Sequence, residues 1–146
     1  MSTNENLREF SAISAAILTT AFSNFPIGSD IDFNLVAQSM GLKDASAKFE
    51  SGRVFSSVAG HALKWLSENG YVRAAGVLPK DRVTITDKGL AAMGNKSPLS
   101  GAPFSEEIAE ASKSAGSAEG RTKLAEVIGA FFGSAASSFT KGVAGG

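Results

Sequence analysis

The stretch "SENGYVRAAGVLPKDRVTITDKGLAAM", residues 67–93, constrains the fold of this chain more than any other. Asn69-Gly70 is a helix stop, because Gly takes the conformation that ends a helix at little steric cost. "YVRAAGV" (71–77) and "RVTIT" (82–86) are β-branched runs, and "LPKD" between them supplies the Pro and Asp that turns favour. Val83 and Ile85 alternate with Arg82, Thr84 and Thr86, so one face of the second run is buried and the other wet. "TDKGLAAM" (86–93) then begins a helix with Thr86 or Asp87 as its cap. The expectation is a small hairpin set between two helices.

Upstream, residues 6–24 read as a helix, with Leu7, Phe10, Ile13, Ile17 and Leu18 at three- and four-residue steps and a stop at Pro26 and Gly28. "SDIDF" (29–33) is a short extended piece or the start of a helix capped by Asp32. "FNLVAQSMG" (33–41) makes about two helical turns with Leu35, Val36 and Met40 inward and Gly41 as the stop. "RVFSSVAGHALKWLSENG" (53–70) is the strongest helix. Val54, Phe55, Val58, Ala62, Leu63, Trp65 and Leu66 form its apolar face, and Phe55 and Trp65 read as core. Arg53, Ser56, Ser57, Gly60, His61, Lys64 and Glu68 take the remaining face.

The composition changes after Met93. Residues 94–120 hold "GNKSPLSGAPFS" and "SAGSAEG" and read as a flexible linker carrying one short helix capped by Ser105. Residues 121–146 form an apolar C-terminal helix in which Leu124, Ile128, Phe131, Phe132 and Phe139 follow helical spacing. Ala125, Gly129, Gly133 and Ser137 make a second stripe of small residues, the kind that lets helices approach closely. Such a helix has to bury itself. The expected use is self-association through Leu124, Ile128, Gly129, Phe131, Phe132, Gly133 and Phe139. Packing on residues 6–93 is the alternative, and a membrane surface ranks behind both, because Lys123 and Lys141 do not make a strongly basic face. "LAEVIGAFFGSAASSF" (124–139) also falls short of the ~20 apolar residues of a membrane span.

Chemistry is bounded mainly by exclusions. The chain has no cysteine, which removes thiol catalysis, disulfides and thiolate-bound zinc. His61 is the single histidine, with no carboxylate at helical spacing to complete a metal site and no signalled nucleophile to serve as a base. No enzyme activity, metal or cofactor is expected. "MSTNENLREF" lacks the basic start and apolar centre of a signal peptide, so the expected compartment is the cytoplasm.

In order, then, the chain is helix, extended piece, helix, helix, hairpin, helix. It resembles the winged helix-turn-helix domain of bacterial and phage regulators. The resemblance is carried by "LVAQSMGL", by "ALKWLSENGYV" and by "VTITDKGLAAM", over residues 6–93. It implies a mainly α fold with a small β-hairpin, a winged-helix domain over residues 1–93 and a C-terminal helical extension. It also implies a DNA-binding transcriptional regulator acting as a homodimer. Double-stranded DNA would meet Arg53, Ser56, Ser57, His61 and Lys64 on the recognition helix and Lys80 and Arg82 on the wing. One departure is the interval from Gly41 to Gly70, longer than usual for the family, which makes "KDASAKFESG" an inserted turn or short helix. Residues 1–95 carry nine Lys or Arg against nine Asp or Glu, whereas DNA-binding domains are mostly basic. That balance supports the second expectation, a winged-helix adaptor that binds protein and no DNA.

Overall fold

Gly70 sits at φ +80°, a conformation open to Gly, and a chain in that conformation leaves its helix for a strand. The computed structural model describes the backbone of residues 2–77 and 80–145 and the side chains of 5–74 and 82–134. The side chains of Lys80 and Phe139 lie outside the described residues. The elements are α1 (Ser2–Asn24), β1 (Ser29–Asp32), α2 (Phe33–Ser39), α3 (Phe55–Glu68), β2 (Val72–Val77), β3 (Lys80–Ile85), α4 (Asp87–Gly94), α5 (Phe104–Ser112) and α6 (Ala118–Gly145).

The protein is mainly helical with one small antiparallel sheet of order β1-β3-β2. "SDID" is a strand, and it turns the expected hairpin into a three-stranded sheet by pairing Ser29 with Val83 and Asp30 with Arg82. Across the other edge of β3, Val72 lies opposite Ile85 and Arg73 opposite Thr84. Val72, Val83 and Ile85 are buried, while Arg73 and Arg82 are exposed on the opposite face. Two helices begin on side-chain caps: Asp32 accepts from the Asn34 amide at 2.9 Å, and the Thr86 hydroxyl accepts from the Gly89 amide at 3.0 Å. Thr86 in turn donates to the carbonyls of Gly70 and Tyr71, so one hydroxyl ties the end of α3, the start of β2 and the start of α4 together.

The long interval between α2 and α3 is an ordered loop, not a helix. Asp44 accepts from the Ser46 amide and hydroxyl, and those two bonds, the hydroxyl first, hold its carboxyl below the usual range. Lys48 bridges to Val54, and Phe49 is buried with its ring 5.8 Å from that of Phe55. The loop also closes the N-terminus of α3, since the amides of Phe55 and Ser56 donate to the carbonyls of Ala47 and Ala45 at 2.9 Å each. That explains how α3 starts at Val54 without a side-chain cap.

The core wraps α1, whose Ile13, Ile17, Leu18 and Ala21 are fully buried. Two positions expected inward lie outward. Leu7 on α1 is 54% exposed; Leu35 is 62% exposed because the two-turn α2 turns Phe33 and Ala37, one helical step apart, to the interior instead.

Residues 94–120, expected to be a flexible linker, are tied down. Ser97 is buried; its amide donates to the Ala102 carbonyl at 2.7 Å and its hydroxyl to Glu107 at 2.6 Å. α5 begins at Phe104 behind Pro103, two residues earlier than a Ser105 cap allows, and buries Phe104 and Ile108. α6 brings Leu124, Val127, Ile128 and Phe131 into the same core. Among the described residues no helix is long and apolar enough to cross a membrane.

Candidate nucleic-acid interface and the adjoining groove

α3 offers a solvent face because its apolar residues concentrate on the opposite side. Phe55, Ala59, Ala62, Leu63 and Leu66 are buried. Ser57, His61 and Lys64 are exposed, Ser56 is half-buried, and at 100° per residue Ser57, His61, Lys64 and Glu68 share one outer face. Glu68 lies one turn beyond Lys64, so the two charges offset each other on this face. The bonds that close the α3 N-terminus occupy its first amides, and Ser57 and Val58 both donate to the Val54 carbonyl. The phosphate-attracting donors of an open helix end are thus absent from this one.

Arg53 does not join the outer face. Its Nη2 lies 3.0 Å from Oε1 of Glu9, its Nε donates to the same oxygen at 3.3 Å, and Nη2 also donates to Oδ1 of Asn6. The reason is a burial imbalance: Glu9 on α1 is 5% exposed, and a carboxylate in that position needs a cation and hydrogen bonds. The Arg53 side chain stays 42% exposed and fastens the start of α3 to α1. No sequence spacing announces this partner, 44 residues away.

On the sheet, Arg82 packs against Gly28 so closely that a Cβ there would sit 2.8 Å from its Nε. Arg73 and Arg82 therefore lie on the outer sheet face beside Thr84, with Asp30 directly opposite Arg82. Lys88 is placed 4.5 Å over the ring of Tyr71, and burial pushes the Tyr71 hydroxyl above its ordinary pKa.

Beside the outer face, α1 and α3 flank an open groove of about 530 Å³. Leu7, Phe10, Val58, Ala62 and Trp65 form its apolar walls, and Asn6, Arg53, Ser57 and His61 its polar part. Trp65, expected in the core, is 40% exposed. Its inner side meets Phe10 edge-on at 5.4 Å and Phe132 at 4.9 Å, and Tyr71 stacks at 6.2 Å.

The α6 residues singled out for self-association divide in two. Leu124, Ile128 and Phe131 are buried against this chain's own core, Phe132 is half-buried in the Trp65 cluster, and Gly129 and Gly133 face outward with nothing within 4 Å of an added Cβ. Among the described residues no group of three or more His, Cys, Asp or Glu could hold a metal ion. The chain matches no protein-family model, and comparison with curated proteins and with solved structures finds no match either.

Proposed function

We propose that residues 2–94 form a winged-helix module that binds double-stranded DNA in a regulatory role. In this reading α3 enters the major groove with Ser57, His61 and Lys64, and the β2–β3 hairpin is the wing whose exposed Arg73 and Arg82 touch the backbone. The observation that carries it is the run α1-β1-α2-α3-β2-β3 with sheet order β1-β3-β2, in which α3 passes through Gly70 directly into the wing. Arg53 drops out of the contact set because it is committed to Glu9. Among the described residues of this contact set Lys64, Arg73 and Arg82 are left, which gives a salt slope near −3 at roughly 0.9 per phosphate. Fluorescence anisotropy on a mixed-sequence duplex pool, titrated across salt, tests this. Lys64→Ala and Arg82→Ala should each flatten the slope by about 1. Binding that is absent, or indifferent to salt, retires the reading.

A homodimer belongs to the same proposal. With Leu124, Ile128 and Phe131 buried within the chain, a second copy would meet the outer stripe of Ala125, Gly129 and Gly133 on α6. Sedimentation equilibrium returning a monomer mass would remove it. The second reading is a protein-binding adaptor of the same shape. It is favoured by the charge balance of the outer α3 face and by the exposed Leu7 and Trp65 beside it.

A further inference from the structure

We infer that the groove between α1 and α3 binds a small aromatic anion, with the ring against Leu7 and Trp65 and the acid group on Arg53. This stands on the groove and not on the DNA reading, although Ser57 and His61 belong to both surfaces. Its volume of about 530 Å³ falls in the range of small-molecule sites, roughly 300–1,000 Å³, and its walls are mainly apolar. Leu7 and Trp65 leave 54% and 40% of their surface to water, and covering that area is the driving force. The indole is already fixed by edge contacts to Phe10 and Phe132, so little side-chain freedom is lost when a ring docks.

Hydrogen-bond donors, rather than net charge, select an acid. Arg53 lines the groove, and its partner Glu9 is not among the described lining residues. A guanidinium has five N–H donors; Glu9 and Asn6 take those on Nε and Nη2, which leaves the Nη1 pair outside these bonds. The buried Glu9 anchors the guanidinium, and the Arg53 side chain remains 42% exposed. Discrimination for an acid then comes from charge-assisted hydrogen bonds donated by Nη1, since the ion pair itself is neutral.

Trp65 is the chain's single tryptophan, so its indole N–H gives one assignable signal in a ¹H–¹⁵N spectrum. The probes are 1-naphthylacetate and its neutral analogue 1-naphthylacetamide, titrated into the full chain. The acetate should shift the Trp65 signal saturably, and the amide should bind roughly tenfold or more weakly, the loss expected for a charge-assisted hydrogen bond. Arg53→Lys keeps a cation for Glu9 but removes the Nη1 donors, and should weaken the acetate alone. Leu7→Glu changes an exposed position that the fold does not need, and should abolish binding of both probes. The inference is overturned by no saturable shift, by equal affinity for the two probes, or by unchanged binding in Leu7→Glu.

Discussion

Replacing Phe131 by Ala measures what α6 contributes to this chain's own core. Phe131 has no solvent exposure, and its ring centroid lies 5.3 Å from Phe104, 5.7 Å from Tyr71 and 5.3 Å from Phe132. It therefore joins α5, the start of β2 and α6 at one point. Truncating a buried Phe to Ala costs about 3–5 kcal/mol through lost transfer energy and the cavity left behind. The ring contacts to three aromatics place the expectation near the middle, about 4 kcal/mol. For a domain near this size that is a fall in Tm of about 8–16 °C. Urea unfolding followed through Trp65, whose ring is 4.9 Å from Phe132, reads the loss directly. Gly133→Ala on the same helix is the control. Its Cβ would meet nothing, so it should stabilise by about 0.5–1 kcal/mol. A Phe131→Ala loss under about 1 kcal/mol would refute the placement of α6 in the core. Because a dimer through the outer α6 stripe would itself raise Tm with concentration, a second copy is tested by the variant: a Phe131→Ala loss that vanishes on dilution would assign the burial to that copy.

Three further outcomes are expected. Gly89→Ala places a Cβ 2.2 Å from the Tyr71 carbonyl oxygen and 2.8 Å from Ile85, so α4 must move and about 2–3 kcal/mol is lost in thermal unfolding; a neutral result would show that α4 does not pack there. Thr86→Ala removes the cap of α4 and the donor to the Tyr71 carbonyl, for a loss of about 1–2 kcal/mol by urea midpoint, whereas Thr86→Ser should retain most of it. Arg53→Met strands the buried Glu9, and because the Arg53 side chain is 42% exposed the cost is discounted to about 2 kcal/mol. Adding Glu9→Gln should recover much of that, and a double-mutant cycle with no coupling would dissolve the pair.

The parts of this fold that were legible in the sequence are those governed by neighbours in the chain. Gly70 at a helix end and Thr86 before Gly89 act within a few residues, so their residue types announce them. The apolar spacing of α3 is equally local, yet Trp65 shows its limit. Periodicity fixes the side of the helix and not how far the neighbouring helix extends, and α1 leaves part of the indole uncovered. Segments 94–120 mark the same boundary from the other direction. Ser, Gly and Pro identify irregular backbone, but whether it is loose depends on a buried hydroxyl meeting Glu107, which composition does not express. The apolar stripe of α6 states a need for burial and reads first as a self-association surface; here α1 and α5 pack on α6, and Leu124, Ile128 and Phe131 are buried in this chain's own core.

Charge carries the largest consequence for function. A count of nine basic residues against nine acidic ones over residues 1–95 treats every charge as free. The fold does not. Glu9 and Arg53, 44 residues apart, neutralise each other at the base of α3, and the loop carbonyls of Ala45 and Ala47 fill the helix end that would have drawn a phosphate. Two features that favour DNA at the N-terminus of a recognition helix are thereby turned inward, and they serve to hold α3 against α1. Among the described residues, the cations left on the outer α3 face and the outer sheet face are Lys64, Arg73 and Arg82. On the proposed reading, a duplex would be held weakly, by the middle of α3 and the β2–β3 hairpin rather than by the helix tip. Accordingly, Arg53→Lys, which keeps the ion pair, should leave DNA affinity nearly unchanged, while Lys64→Glu should remove most of it. The opposite order of the two would relocate the contact to the α3 N-terminus and overturn the role assigned to Glu9.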